Sequence, residues 1–144
     1  MNKFIYIPML IFALVSCANI DNKTIQDQSI TGNWTLHKMI AGRSQTEFTG
    51  SELGRYESYT FRGDKTFTKT VKESNSSKSA SGNYSLEDLS DGKYIKLEYD
   101  NDSELIDNCT GDQTEYLRIE EKELIGGSAP CDGPMLIYTK AYTD

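Results

Sequence analysis

Tyr56-Glu57-Ser58-Tyr59-Thr60-Phe61-Arg62-Gly63-Asp64-Lys65-Thr66-Phe67-Thr68-Lys69-Thr70-Val71-Lys72-Glu73 decides the fold. Tyr59 and Phe61 share one face of its first half, and Phe67 and Val71 share one face of its second. Period two among aromatic and β-branched residues marks a half-buried strand. Gly63-Asp64 between the runs is turn chemistry, because glycine accepts positive φ and aspartate tolerates the left-handed region. The spacing predicts strands over 56–62 and 66–73, joined by a short link.

Outward from this hairpin the same pattern recurs. Strands are predicted over 31–40, with Trp34, Leu36 and Ile40 on one face, and over 81–87, with Tyr84 and Leu86 aligned. Ile95, Leu97 and Tyr99 align over 93–100, and Leu117 and Ile119 over 114–120. Two more strands are predicted over 122–127, around Leu124 and Ile125, and over 135–142, where Met135, Ile137 and Ala141 oppose Leu136, Tyr138 and Tyr142. Residues 74–81, rich in Ser and Lys, read as an exposed loop or a weakly specified strand end. No stretch after residue 17 sustains a helical stripe with caps. Eight strands in sequence predict an all-β fold, an eight-stranded antiparallel up-and-down β-barrel whose closure removes the edges. The links after the second, fourth and sixth strands are short, and the other four are long, so the long ones are expected at one end.

The N-terminus carries a different signal. Lys3 precedes an almost unbroken apolar run over 4–15, too short to span a bilayer comfortably. Leu14-Val15-Ser16-Cys17 resembles the lipobox of bacterial lipoproteins. The resemblance implies a signal peptide over 1–16 and cleavage that leaves Cys17 as the acylated N-terminus. Residues 17–29 then read as the lipidated Cys and a polar tether, and 30–144 as the barrel domain. The expected location is the bacterial cell envelope, lipid-anchored and outer-membrane associated. With Cys17 lipidated, Cys109 and Cys131 remain, and an oxidising compartment favours a bridge between them. Both lie in long links at the same end of the meander, so geometry allows the bond.

Gly32-Asn33-Trp34 resembles the Gly-x-Trp motif that opens the first strand of lipocalins. With the lipobox, Tyr59-Thr60-Phe61, the turn from Asp64 to Phe67, and Cys131-Asp132-Gly133, the chain resembles lipocalin-like domain lipoproteins of Bacteroidetes type over roughly 30–142. The resemblance implies that Gly32 and Trp34 close one end of the barrel while the long loops frame a mouth. Two features depart from the lipocalin pattern. There is no Thr-Asp-Tyr motif in the mid-chain loop, and no Arg in the last strand to lie over Trp34, leaving Lys140 or Lys38 for that place.

Charge and composition narrow the function. The chain has 15 Lys and Arg against 22 Asp and Glu, net −7. No basic stripe is available to displace counterions, so nucleic acid is not an expected partner. His37 is the only histidine and has no nucleophile at a recognisable spacing, so no catalytic residue is assigned and the chain is expected not to be an enzyme. Asp100-Asn101-Asp102-Ser103-Glu104 alternates oxygen ligands but lacks the mid-loop Gly and terminal Glu of a calcium loop, and reads as a solvated acidic loop. No metal or cofactor is implied. The leading expectation is a membrane-anchored, non-catalytic module binding a small hydrophobic or amphipathic ligand in the barrel mouth, lined by Tyr59, Phe61, Tyr84, Tyr99, Tyr116 and Tyr138. The rival expectation is a packed-barrel protein-interaction module, an envelope scaffold or protease inhibitor. Whether the barrel is open or filled separates the two.

Overall fold

A computed structural model describes residues 29–141. The signal segment, Cys17 and the tether up to residue 28 lie outside the described residues. Alternating side chains draw the described residues into nine strands: β1 (Gly32–Ile40), β2 (Glu47–Thr49), β3 (Tyr56–Phe61), β4 (Thr66–Glu73), β5 (Ser76–Leu89), β6 (Gly92–Tyr99), β7 (Thr114–Glu120), β8 (Glu123–Gly127) and β9 (Met135–Lys140). From β3 to β9 each strand pairs antiparallel with the next, and β1 pairs with both β3 and β9. Eight strands therefore close on themselves, as an up-and-down meander must to lose its edges. β2 is an unanticipated addition alongside the end of β1, where Met39 faces Phe48. Three residues are too few to show a period.

Two expectations need correction. Of the two readings of residues 74–81 the strand end holds and the loop does not: β4 and β5 pair without a break from Glu73↔Ser76 to Thr66↔Asn83. The link expected to be long is a tight turn at Ser74 and Asn75, with Ser74 in the left-handed region at φ 46. Serines exposed on both faces carry no hydrophobic period, so this part of the hairpin is held by the backbone ladder, the Thr70–Ser79 hydroxyl contact and the Lys78–Glu104 ion pair. The other correction is Ile40, which does not share a face with Trp34 and Leu36. The β1–β9 register shifts between Leu36 and Lys38, at exposed His37. A bulge adds one residue and reverses the facing that follows. Met39, opposite buried Leu136, turns inward, and Ile40 faces out with Met135.

The closed end is built on Gly32 and Trp34. Trp34 is buried, and its indole N–H donates to the Ile30 carbonyl at 2.8 Å. Gly32 has φ +126, where side chains are strained, and the Lys140 stem crosses 3.0 Å from where a Cβ would sit. Lys140 is the cation over the indole, 5.9 Å from its centroid, and its Nζ donates to the Ser29 carbonyl. Above this floor, Phe61, Phe67 and Tyr84 meet edge-on or tilted, and Tyr99 meets Phe67 edge-to-face at 4.9 Å.

The links at 41–55, 100–113 and 128–134 gather at the opposite end. Cys109 and Cys131 form a disulfide there, with Cα atoms 5.8 Å apart and a sequence separation of 22. Cross-linking across this span restricts the unfolded chain by roughly 3 kcal/mol in the loop-entropy model. Replacing both cysteines by serine is expected to lower the unfolding free energy by about that amount. A urea titration at constant slope reads it directly, and an unchanged midpoint counts against the bond as a structural tie.

Candidate functional site

Three charged residues fall on the inward phase of their strands. Glu57 precedes Tyr59 and Phe61 on β3, Lys69 stands between Phe67 and Val71 on β4, and Glu115 precedes Leu117 on β7. All three are at most 1 % exposed. A buried charge is tolerated only when paired and hydrogen-bonded. Lys69 Nζ lies 3.3 Å from Glu57 Oε1, 3.5 Å from Glu115 Oε1 and 3.2 Å from Asp107 Oδ2, the last reaching in from the 100–113 link. It also sits 5.1 Å from the Tyr59 ring centroid. Tyrosine hydroxyls complete the tier. Tyr59 and Tyr99 donate to Glu115 Oε1 and Oε2, and Tyr138 donates to Glu57 Oε1, each at 2.6 Å.

The electrostatics follow from this packing. Burial alone lowers the affinity of Lys69 for its proton, but Glu115, Glu57 and Asp107 outweigh it and hold the ammonium above its ordinary range. Burial raises the Glu115 carboxyl, against the pull of Lys69 and the two phenols. Burial and the neighbouring carboxylates push the Tyr59, Tyr99 and Tyr138 phenols well up, so they stay protonated donors.

Over this tier lies a cavity of about 190 Å³ at the open end. Arg55 forms one wall, and its guanidinium meets Glu57 Oε2 at 2.8 Å. Its Nε is a buried donor without a partner among the described residues. Val71 and Leu105 supply apolar surface, and Lys78, paired with Glu104 at 2.6 Å, supplies a further cation.

The expected aromatic cup is corrected by this geometry. Tyr59, Phe61, Tyr84, Tyr99 and Tyr138 are buried among themselves and fill the barrel rather than lining an open space. Tyr59 stacks on Phe61 and meets Tyr138 edge-on at 5.0 Å, so no ligand-sized gap is left between the rings. Tyr116 points outward, where it is 41 % exposed against Tyr94. His37 is exposed on β1. The acidic loop disperses its charges: Asp100 accepts from Ser81, Glu104 pairs with Lys78, Asp107 turns to Lys69, and Asp112 caps its own turn through Thr110 and Thr114. Asp64 likewise accepts from the Thr66 amide and hydroxyl at the hairpin tip, where Lys65 rather than Gly63 takes positive φ.

Sequence comparison agrees with the closed meander. A family model described as a lipocalin-like domain matches residues 30–125, about two thirds of the chain. The chain belongs to the lipocalin-like domain family. No curated protein and no solved structure matches it. In this lipocalin-like barrel, the signal for the ionic tier was present in the strand phase. Lys69 alternates with Phe67 and Val71, and a lysine on a core phase calls for inward carboxylates elsewhere.

Lys69→Met leaves Glu57, Glu115 and Asp107 facing one another without their shared cation. The expected loss is ~3–5 kcal/mol at pH 7, read by urea unfolding. Glu115 binds its proton more readily folded than unfolded, so the loss shrinks as pH falls toward 4.5. In the parent chain the Lys69 contribution is complete below 10.5 and fades as pH rises through its higher folded value. A Lys69→Met penalty equal at pH 5 and pH 8 would contradict the tier as described.

Proposed function

We propose that the chain is a lipid-anchored, non-catalytic binding protein of the bacterial cell envelope, whose barrel mouth takes a small amphipathic molecule with a hydrogen-bond acceptor in its head group. The observation that carries this reading is Arg55 Nε, a buried donor without a partner at the wall of the mouth cavity. A buried donor left unmet costs about 1–3 kcal/mol, which an acceptor from a ligand recovers. A carboxylate suits the guanidinium fork best. Val71 and Leu105 would take the apolar part. The volume limits the ligand to a small molecule, since each water occupies roughly 30 Å³ in the liquid.

Cys17, in the lipobox-like Leu14-Val15-Ser16-Cys17, would carry the anchor. Several acyl chains on one residue give stable attachment where one chain does not. The described chain begins beside Trp34 at the closed end, so a tether from Cys17 would leave the mouth turned away from the membrane. The packed aromatic interior also supports a second reading, an interaction module that contacts a protein partner through the loops of the open end.

Native mass spectrometry of the full lipoprotein, isolated from an oxidising compartment, tests the first reading. A small adduct lost on denaturation is expected, and Arg55→Ala should weaken its retention at least about tenfold. A bare mass after incubation with short amphipathic carboxylates would favour the interaction module. Cys17→Ala should abolish labelling of the chain by an alkynyl fatty acid fed to the cells.

A further inference from the structure

The β7–β8 ladder is short. It pairs Arg118 with Ile125, Ile119 with Leu124 and Glu120 with Glu123, while β7 continues back to Thr114 beside β6 and β8 on to Gly127 beside β9. Where the two strands part, a groove of about 490 Å³ opens on the outer wall of the barrel, more than twice the volume of the mouth cavity. Small-molecule sites run roughly 300–1,000 Å³ and are mostly apolar with a few placed polar groups.

The groove has that character. Ile125 and Met135 form its apolar floor, and Tyr94 and Tyr116 form one side with ring centroids 6.3 Å apart at 80°. The opposite rim is the 100–113 link and the turn Ala129–Cys131, tied to each other by the Cys109–Cys131 disulfide. A covalently fixed rim has less freedom to lose on binding. The polar groups at that rim are occupied among themselves. Asn108 donates to Asp112 and to the Thr114 carbonyl, and Asp112 Oδ1 accepts from Thr110 and Thr114. Asp107 turns inward to Lys69. The cation of the groove is Arg118. It gives Nε to Glu120 at 2.9 Å, its side chain stays 45 % exposed, and it is among the residues that line the groove. A guanidinium presents paired donors to a planar anion.

We propose that this outer groove binds a small molecule with an apolar body and one anionic head group, the body lying between the Tyr94–Tyr116 pair and Met135 and the head on Arg118. The site shares Asp107 with the lining of the barrel mouth but lies on the outer wall, and it does not rest on the function proposed for the mouth.

Photo-crosslinking of the full lipoprotein with a benzophenone carboxylate tests the proposal, because that probe has both features and marks its position. The expected labels map to Met135 and Ile125, are displaced by excess laurate, and fall at least fivefold in Arg118→Gln and in Tyr116→Ala. Both substitutions are at exposed side chains, and near-ultraviolet circular dichroism checks that the fold is kept. Arg55→Ala, in the mouth, should leave the labels unchanged. Labels at Val71 or Leu105, labels scattered over the surface and indifferent to Arg118→Gln, or no labelling at all would each overturn the proposal. Loss of the mouth adduct in Arg55→Ala with groove labels intact would separate the two sites.

Discussion

Lys69 Nζ stands at the meeting point of two strands and a link. Glu57 reaches it from β3, Glu115 from β7 and Asp107 from the 100–113 segment, so one ammonium holds carboxylates 12 to 46 residues from it along the chain. Its charge is what makes two buried carboxylates tolerable, and they in turn orient the hydroxyls of Tyr59, Tyr99 and Tyr138. The tier divides the barrel. Below it the interior is aromatic and filled. Above it the mouth is polar, and any ligand there meets charge before it meets hydrocarbon.

Apolar surface is also found on the outer wall. Tyr94, Tyr116, Ile125 and Met135 lie outside the barrel, where β7 and β8 diverge. Gly126 and Gly127 continue β8 there for steric reasons of their own. A Cβ on Gly126 would strike Leu117 at 2.4 Å, and one on Gly127 would strike the Pro134 carbonyl at 2.3 Å. The disulfide belongs to both regions. It fixes the link that sends Asp107 into the tier and the turn that forms the rim of the groove, so tightening one end of the barrel orders both surfaces.

Much of the fold was legible along the chain. Tyr59 with Phe61, Phe67 with Val71, and Ile95 with Leu97 kept period two and placed their strands correctly. Gly32 and Trp34 marked the closed end, and the expectation that Cys17 is lipidated left one partner for each remaining cysteine. The serines at 76–79 were illegible because a ladder between two exposed faces needs no apolar period. Ile40 was misplaced because a one-residue bulge at His37 leaves no trace in composition. Tyr59, Tyr84, Tyr99 and Tyr138 were recognised as inward-facing, whereas Tyr116 faces out, and the inward rings were read as a cup. Rings of that size in an eight-stranded barrel reach one another across its width, and the space closes.

The sequence by itself determined the class of fold, the facing of the strands with a clear period and the family, because alternation and turn chemistry act between residues close in the chain. Tertiary structure alone decided that the barrel is filled, that Lys69 gathers three carboxylates, and that Arg55 Nε has no partner among the described residues. These are relations between residues brought together only when β1 meets β9. The charge on Lys69 is local, but its neutralisation depends on which distant strands share its height in the closed barrel.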